Sequence, residues 1–206
     1  MSTIRDAESW LIAVLKDTLG SDVDVASGPG EYDGEYLNRF LTQGLACRVV
    51  WNGGETGSTS TSLTIQGSWT ILAFAGWRGT DQDDRRRNAT EGAYQMVQAI
   101  AARLHNESAG QPTFTATGAR VQDAEGNDLE PVEGAGHIQV TEIVNEWSGE
   151  LNRVDLCIYS IELQQDLPIE LEVVSGALND WRTAHIDYNI PEGEDVDLQQ
   201  VVDLPQ

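Results

Sequence analysis

Positive charge is scarce in this sequence. Twelve Lys and Arg stand against thirty-four Asp and Glu, which gives a formal charge of −22 and a pI near 4.2. A protein that grips nucleic acid by neutralising phosphates needs basic side chains on the contacting face, so that mode of binding is disfavoured. The same charge suits a surface past which DNA slides without sticking, and it also serves plain solubility. Only one residue is lysine, Lys16. "GGETGST" at 53–59 therefore cannot work as a phosphate-binding loop, because Gly57 stands where the motif needs a lysine before its hydroxyl residue.

Sulfur, histidine and long apolar runs are equally sparse. Cys47 and Cys157 lie in the apolar stretches "LACRVVW" and "VDLCIYSIEL" and read as free, small core residues. His105, His137 and His185 have no companion at metal-ligand spacing, and neither a Gly-x-Ser-x-Gly nor a Cys-His nucleophile pattern occurs. Catalytic, cofactor-binding and metal residues are accordingly expected to be none. No uncharged apolar run approaches eighteen residues, which predicts no membrane-spanning helix, and "STIRDAESW" has neither the basic start nor the apolar centre of a signal peptide.

What is present is alternation. Ile4, Ala7, Leu11, Val14 or Leu15, and Leu19 recur at spacings of three and four, which predicts a helix over 4–19 stopped by Gly20. "SGPGEYDGE" reads as a loop and "EYLNRFL" as a short helix. "LACRVVW" predicts a strand over 45–51, followed by a flexible Gly/Ser/Thr link over 52–62. Over 62–77, Leu63, Ile65, Trp69, Ile71, Ala73, Ala75 and Trp77 share one face of a long strand. Val97, Ile100, Ala101 and Leu104, extended back by Ala93 and Tyr94, predict a helix over about 83–106. Two further strands, 138–147 and 153–164, are joined by the turn "SGELN". The result is an α/β (α+β) fold: a mainly antiparallel sheet packed against two principal helices, over residues 1–165. From 166 onward ten acidic residues face only Arg182, which predicts an acidic extended C-terminal tail over 166–206.

Two charged stretches need separate treatment. "DAEGNDLEPVEG" at 123–134 spaces carboxylates almost like a calcium loop, but Asp128 and Gly134 stand where that loop requires Gly and Glu, so a solvated acidic insert over 122–136 is expected. The triplet Arg85, Arg86 and Arg87 holds a quarter of all the positive charge. At the start of a helix, three cations sit at the wrong end of the macrodipole unless acids face them. The triplet is either a solvated helix start or one half of a subunit interface.

The N-terminal helix followed by "GPGEYDGEYLNRF", then "EGAYQMVQAIAARLH", then "VNEWSGELNRVDLCIYSIELQ" and, more weakly, "AHIDYNIP" resembles one family. It is the Mu-like phage and prophage tail proteins regarded as tail terminators, or tail-completion proteins. The resemblance covers about residues 4–165. It implies a non-enzymatic virion protein forming a homohexameric ring that caps the tail tube, stops its polymerisation and presents a surface for head joining. The implied partners are other copies of the chain, the tail tube protein and a head-completion or connector protein. DNA passes through the channel without specific binding, and no membrane is involved. The implied location is the head-proximal end of the tail, after assembly in the host cytoplasm. In such a ring Arg85, Arg86 and Arg87 would meet acids of the next subunit. A non-enzymatic acidic adaptor, or another tube or head–tail joining subunit of similar fold, also fits the residues.

Overall fold

The computed structural model describes residues 3–28, 44–58, 63–76, 92–146, 156–169, 183–184 and 202–203. Ala7, Trp10, Leu11, Val14 and Leu15 bury one side of helix α1, Thr3–Leu19. Each large member of this stripe contributes ~1.5–3 kcal/mol by leaving water. The helix stops where Gly20, at φ 77°, takes the left-handed conformation that a side chain resists, and its N–H returns to the Lys16 carbonyl.

Five strands form one sheet in the order β1-β2-β3-β5-β4: β1 is Val23–Ser27, β2 Leu45–Ser58, β3 Leu63–Gly76, β4 Gln139–Asn145 and β5 Leu156–Ile169. Every pairing is antiparallel except β1 with β2, which is parallel. The expected sheet of mainly antiparallel strands is therefore present, with one strand added at its edge. "VDVAS" is too short to stand out in the sequence, yet Val23 and Val25 alternate into the core.

The second correction is to the Gly/Ser/Thr link. Residues 52–58 are not a flexible connection; they continue β2 as the outer arm of a hairpin, with Ser58 opposite Leu63. Cross-strand pairing overrides the weak strand propensity of Gly and Ser there. The register slips once, at Asn52, where Gly53 adopts φ 96°. Trp51 and Trp69 face each other across the two strands edge to face, ring centroids 4.5 Å apart. Gly67 lies under the Trp51 ring. β5 likewise runs past 164, to Ile169.

Helix α2 is Ala93–Leu104, with Gly92 as an extended N-cap at φ −87°, ψ 155°. The expected start near 83 is thus too early. Residues 81–91 offer no apolar stripe, and the buried face begins only at Ala93. Asn106, at φ 67°, ends the helix, and its N–H donates to the Ile138 carbonyl.

Both helices cover the same sheet face. Trp69, Ile71, Tyr159, Ile161 and Leu163 from the sheet meet Trp10, Leu11, Ile100 and Leu104 from the helices. The segment between α2 and β4 is no free acidic insert: Ala109, Val121, Leu129, Val132 and Ala135 close the end of this core. Spaced apolar residues anchor the backbone while the acids between them stay wet. On the opposite sheet face Ala46, Phe74 and Ile158 line up in register and are buried.

The chain divides into two compact units, Met1–Glu170 and Leu171–Gln206. In the second, two short strands, β6 (Thr183–Ala184) and β7 (Val202–Asp203), pair antiparallel. The rest of the predicted acidic tail, the predicted helix at "EYLNRFL" and the turn "SGELN" lie outside the described residues.

Candidate interaction surfaces

The cysteines and the described histidines have local structural roles, so the surfaces carry the candidate chemistry. Cys47 is fully buried and free; burial pushes its thiol up to about 12, opposed by the neighbouring Arg48 charge. Cys157 is likewise in no disulfide, and β3 stands between the two strands that carry the cysteines. The His105 ring accepts a hydrogen bond at Nδ1 from the Val140 N–H, 3.3 Å away, and so ties α2 to β4. The His137 ring meets the Asn106 carbonyl at 2.9 Å. His185 lies outside the described residues. Among the described residues no group of three His, Cys, Asp or Glu side chains could hold a metal ion, and no helix is long and apolar enough to cross a membrane.

The calcium-like stretch shows what its carboxylate does instead. Asp123 Oδ1 accepts the backbone N–H groups of Asn127, at 2.8 Å, and Glu125, at 3.0 Å. These bonds to the charged form, that of Asn127 foremost, hold the carboxyl below its usual range. The turn 123–127 is thereby closed on itself.

That turn forms one wall of a long trough beside α1. Val121 and Leu129 pin the wall to the core, and Leu129 donates its N–H to the Val121 carbonyl at 2.8 Å. The larger basin, about 1140 Å³, has an apolar floor that includes Ile12, Val23, Leu45 and Leu129. Asp17, Asp22, Asp24, Asp123 and Glu125 line it, against Lys16 and Arg120. The adjoining basin, about 690 Å³, shares Asp123 and Glu125 and adds Asp6, Asp128, Glu130 and Glu133 with no base. Carboxylates concentrated around a low-dielectric floor reinforce one another's field. Arg120 donates from Nη2 to the Leu129 carbonyl at 3.1 Å, whereas its buried Nε has no hydrogen-bond partner among the described residues.

A second surface is the β4 edge. The residue Thr141 bulges out of register, and beyond it Ile143 is 47% exposed. Tyr94 on α2, 45% exposed, stacks edge to face on the buried Tyr159 of β5. A third is the polar ladder on the outer sheet face. Asn52 Nδ2 donates to Thr70 Oγ1 at 2.6 Å, and Thr70 donates to Glu162 Oε1 at 2.8 Å. Beside it Arg48 is buried, paired with the Asp24 carboxylate and donating to the Cys47 carbonyl.

The family model described as "Bacteriophage Mu, Gp37" matches residues 3–125. The chain belongs to the bacteriophage Mu Gp37 family. The matched span takes in α1, β1, the β2–β3 hairpin, α2 and the first part of the trough wall, as far as Glu125. Family membership makes this a phage protein with a structural role. None of the curated proteins matches the chain. Among solved structures, a chain of the "Virion of native gene transfer agent (GTA) particle" is 13% identical, with 82% of this chain and 92% of that chain covered and a TM-score of 0.38.

The sequence singled out Arg85, Arg86 and Arg87 as either a solvated helix start or one half of a subunit interface. All three fall inside the span that defines the Gp37 family match and outside the described residues. They also precede the N-cap Gly92, so they are not in the first turn of α2. The trough was missed by sequence reading because α1 and the 115–133 segment are a hundred residues apart. Its one local sign was the run of acids among the spaced apolar residues Val121, Leu129 and Val132.

Proposed function

We propose that this protein is the tail terminator of a phage or prophage tail: a non-enzymatic subunit that closes into a hexameric ring on the head-proximal end of the tail tube. 

The ring stops tube polymerisation and offers the surface to which the head joins. The match to the Gp37 family over residues 3–125 carries this reading. The fold agrees with it. A closed ring needs a heterologous contact, in which one patch meets a different patch on the next copy. The sheet ends in two unlike edges, β1 beside the anionic trough and β4 beside Tyr94 and Ile143. A charge of −22 per copy gives the channel a sign that repels the DNA passing through it. In this reading the other partners are the tail tube protein and the head-completion protein.

The test is a phage or prophage whose copy of this gene carries an early stop codon. Tails of uncontrolled length, with no head attached, are the expected product, and the supplied protein restores joined particles. Gold-labelled antibody should mark only the head-proximal tail end. Label distributed along the tube would instead identify a tube subunit, and label confined to the head side a connector component.

A further inference from the structure

We propose that the trough beside α1 is the acceptor for the segment Asp83–Arg87 of a second copy of this chain, with its Arg85, Arg86 and Arg87 lying among the carboxylates. The inference deepens the ring reading above and rests on it for the presence of the second copy.

Charge complementarity selects the occupant. Nine carboxylates line the two basins, five in the larger and six in the smaller with Asp123 and Glu125 common to both; Asp24 is already paired with Arg48, and against the other eight the lining offers only Lys16 and Arg120. An occupant must therefore be cationic. In a chain with twelve basic residues, Arg85–Arg87 is the one run of three adjacent cations. The same segment carries Asp83 and Asp84 immediately before the arginines. The trough has the matching minority charge in Arg120 and Lys16, which line it among the carboxylates. A segment with two acids next to three arginines can satisfy both signs at once, which a uniformly basic peptide cannot.

The triplet and the residues that line the trough are separate stretches of the chain, 85–87 on one side and α1, β1 and the 115–133 segment on the other. A patch meeting an unlike patch on the next copy is the contact that propagates around a ring. Guanidinium groups suit it because they bind carboxylates through two parallel hydrogen bonds while remaining weakly hydrated.

Two charge-reversed chains test the proposal. One carries Arg85→Glu, Arg86→Glu and Arg87→Glu. The other carries Asp17→Lys, Asp22→Lys and Glu125→Lys, all on exposed residues that leave the Asp123 turn intact. Self-association is read by light scattering on purified protein and by incorporation into tails in the cell, with circular dichroism to confirm folding. Each variant alone should associate at least tenfold more weakly than the natural chain. A 1:1 mixture should recover association, because alternating copies place Glu triplets in Lys troughs and Arg triplets in acidic ones.

Recovery only when both sets are joined in one chain would assign the contact to a single subunit and overturn the proposal. So would normal association of either variant alone, or no self-association of the natural chain in solution or on tails. The terminator reading fails separately, if the mixture associates but never occupies tail ends. If gold label marks the tail end while both variants assemble normally, the terminator reading stands and the trough proposal falls.

Discussion

Gly67 and Trp51 form a contact whose energy can be measured by a double-mutant cycle. A Cβ at position 67 would stand 2.5 Å from Cζ3 and 2.6 Å from Cη2 of Trp51, and 3.3 Å from the Gln165 carbonyl oxygen. No real carbon tolerates the first two distances, so Gly67→Ala forces the indole to move. Trp69 beneath it is fully buried and cannot yield. If the Trp51 ring stays, overpacking costs ~1–3 kcal/mol. If it swings outward, the edge-to-face pair is lost, at ~0.5–1.5 kcal/mol plus the exposed apolar area. Replacing a glycine returns ~0.4–1 kcal/mol by restricting the unfolded chain. The net expectation is a loss of ~1–2 kcal/mol. In a Trp51→Ala background the obstruction is gone, and Gly67→Ala should become neutral or slightly stabilising. Urea unfolding followed by far-ultraviolet circular dichroism measures all four corners without relying on tryptophan fluorescence, which Trp51→Ala would alter. A coupling of ~1–3 kcal/mol is expected. If Gly67→Ala costs the same in both backgrounds to within ~0.5 kcal/mol, the ring does not lie over the glycine and the reasoning fails.

Trp10→Ala should destabilise the first unit by ~3–5 kcal/mol, as loss of a fully buried ring does; a shift under ~1 kcal/mol in urea unfolding would contradict its placement. Cys47 should resist alkylation in the native protein at pH 8 and react on unfolding. Its folded pKa, about 12, lies above the unfolded value, so this thiol favours the fold below pH ~8.5 and withdraws that preference as pH rises toward 12. Comparing the alkaline unfolding of Cys47→Ala with the natural chain checks the sign. The Asp123 carboxyl should titrate below the ordinary aspartate value of ~3.9 in a carbon-detected NMR titration, since its pKa is lowered by the turn N–H groups. Its contribution is held above that ordinary value and disappears as pH falls through the lowered one. Duplex DNA should show no measurable binding at physiological salt, because a chain of charge −22 has few cations to release counterions; submicromolar, salt-sensitive binding would refute that.

Where periodicity was strong, the sequence and the fold agree. Ala7, Leu11 and Val14 mark α1, and Trp69, Ile71, Ala73 and Ala75 mark the buried face of β3. The failures are places where tertiary contact outweighs local preference. Nothing in "NGGETGS" favours a strand, yet pairing with β3 makes it one. Nothing in "VDVAS" is long enough to signal β1, which is fixed by its parallel partner. The wall of the trough escaped for another reason. Val121, Leu129 and Val132 are too widely spaced for any helical or strand period, and only the folded chain shows that they face one core. The arginine triplet was legible as an anomaly of composition, because its neighbours are so acidic.

The strand order has a consequence for biosynthesis. β2 and β3 form a local hairpin, as do β4 and β5, but the two hairpins join only along the fourteen-residue ladder between β3 and β5. While the ribosome is still making the second hairpin, the edge of β3 that β5 will occupy has no partner. At translation rates of about 5–20 residues per second, the eighty residues from Gly76 to Leu156 keep that edge waiting for about 4–16 s. It includes "WTILAFA", apolar, uncharged and free of proline, the kind of segment that pairs with its own kind when left open. The yield of folded protein should therefore depend on how fast β5 arrives, and slow synthesis of residues 77–155 should favour aggregation over a folded subunit.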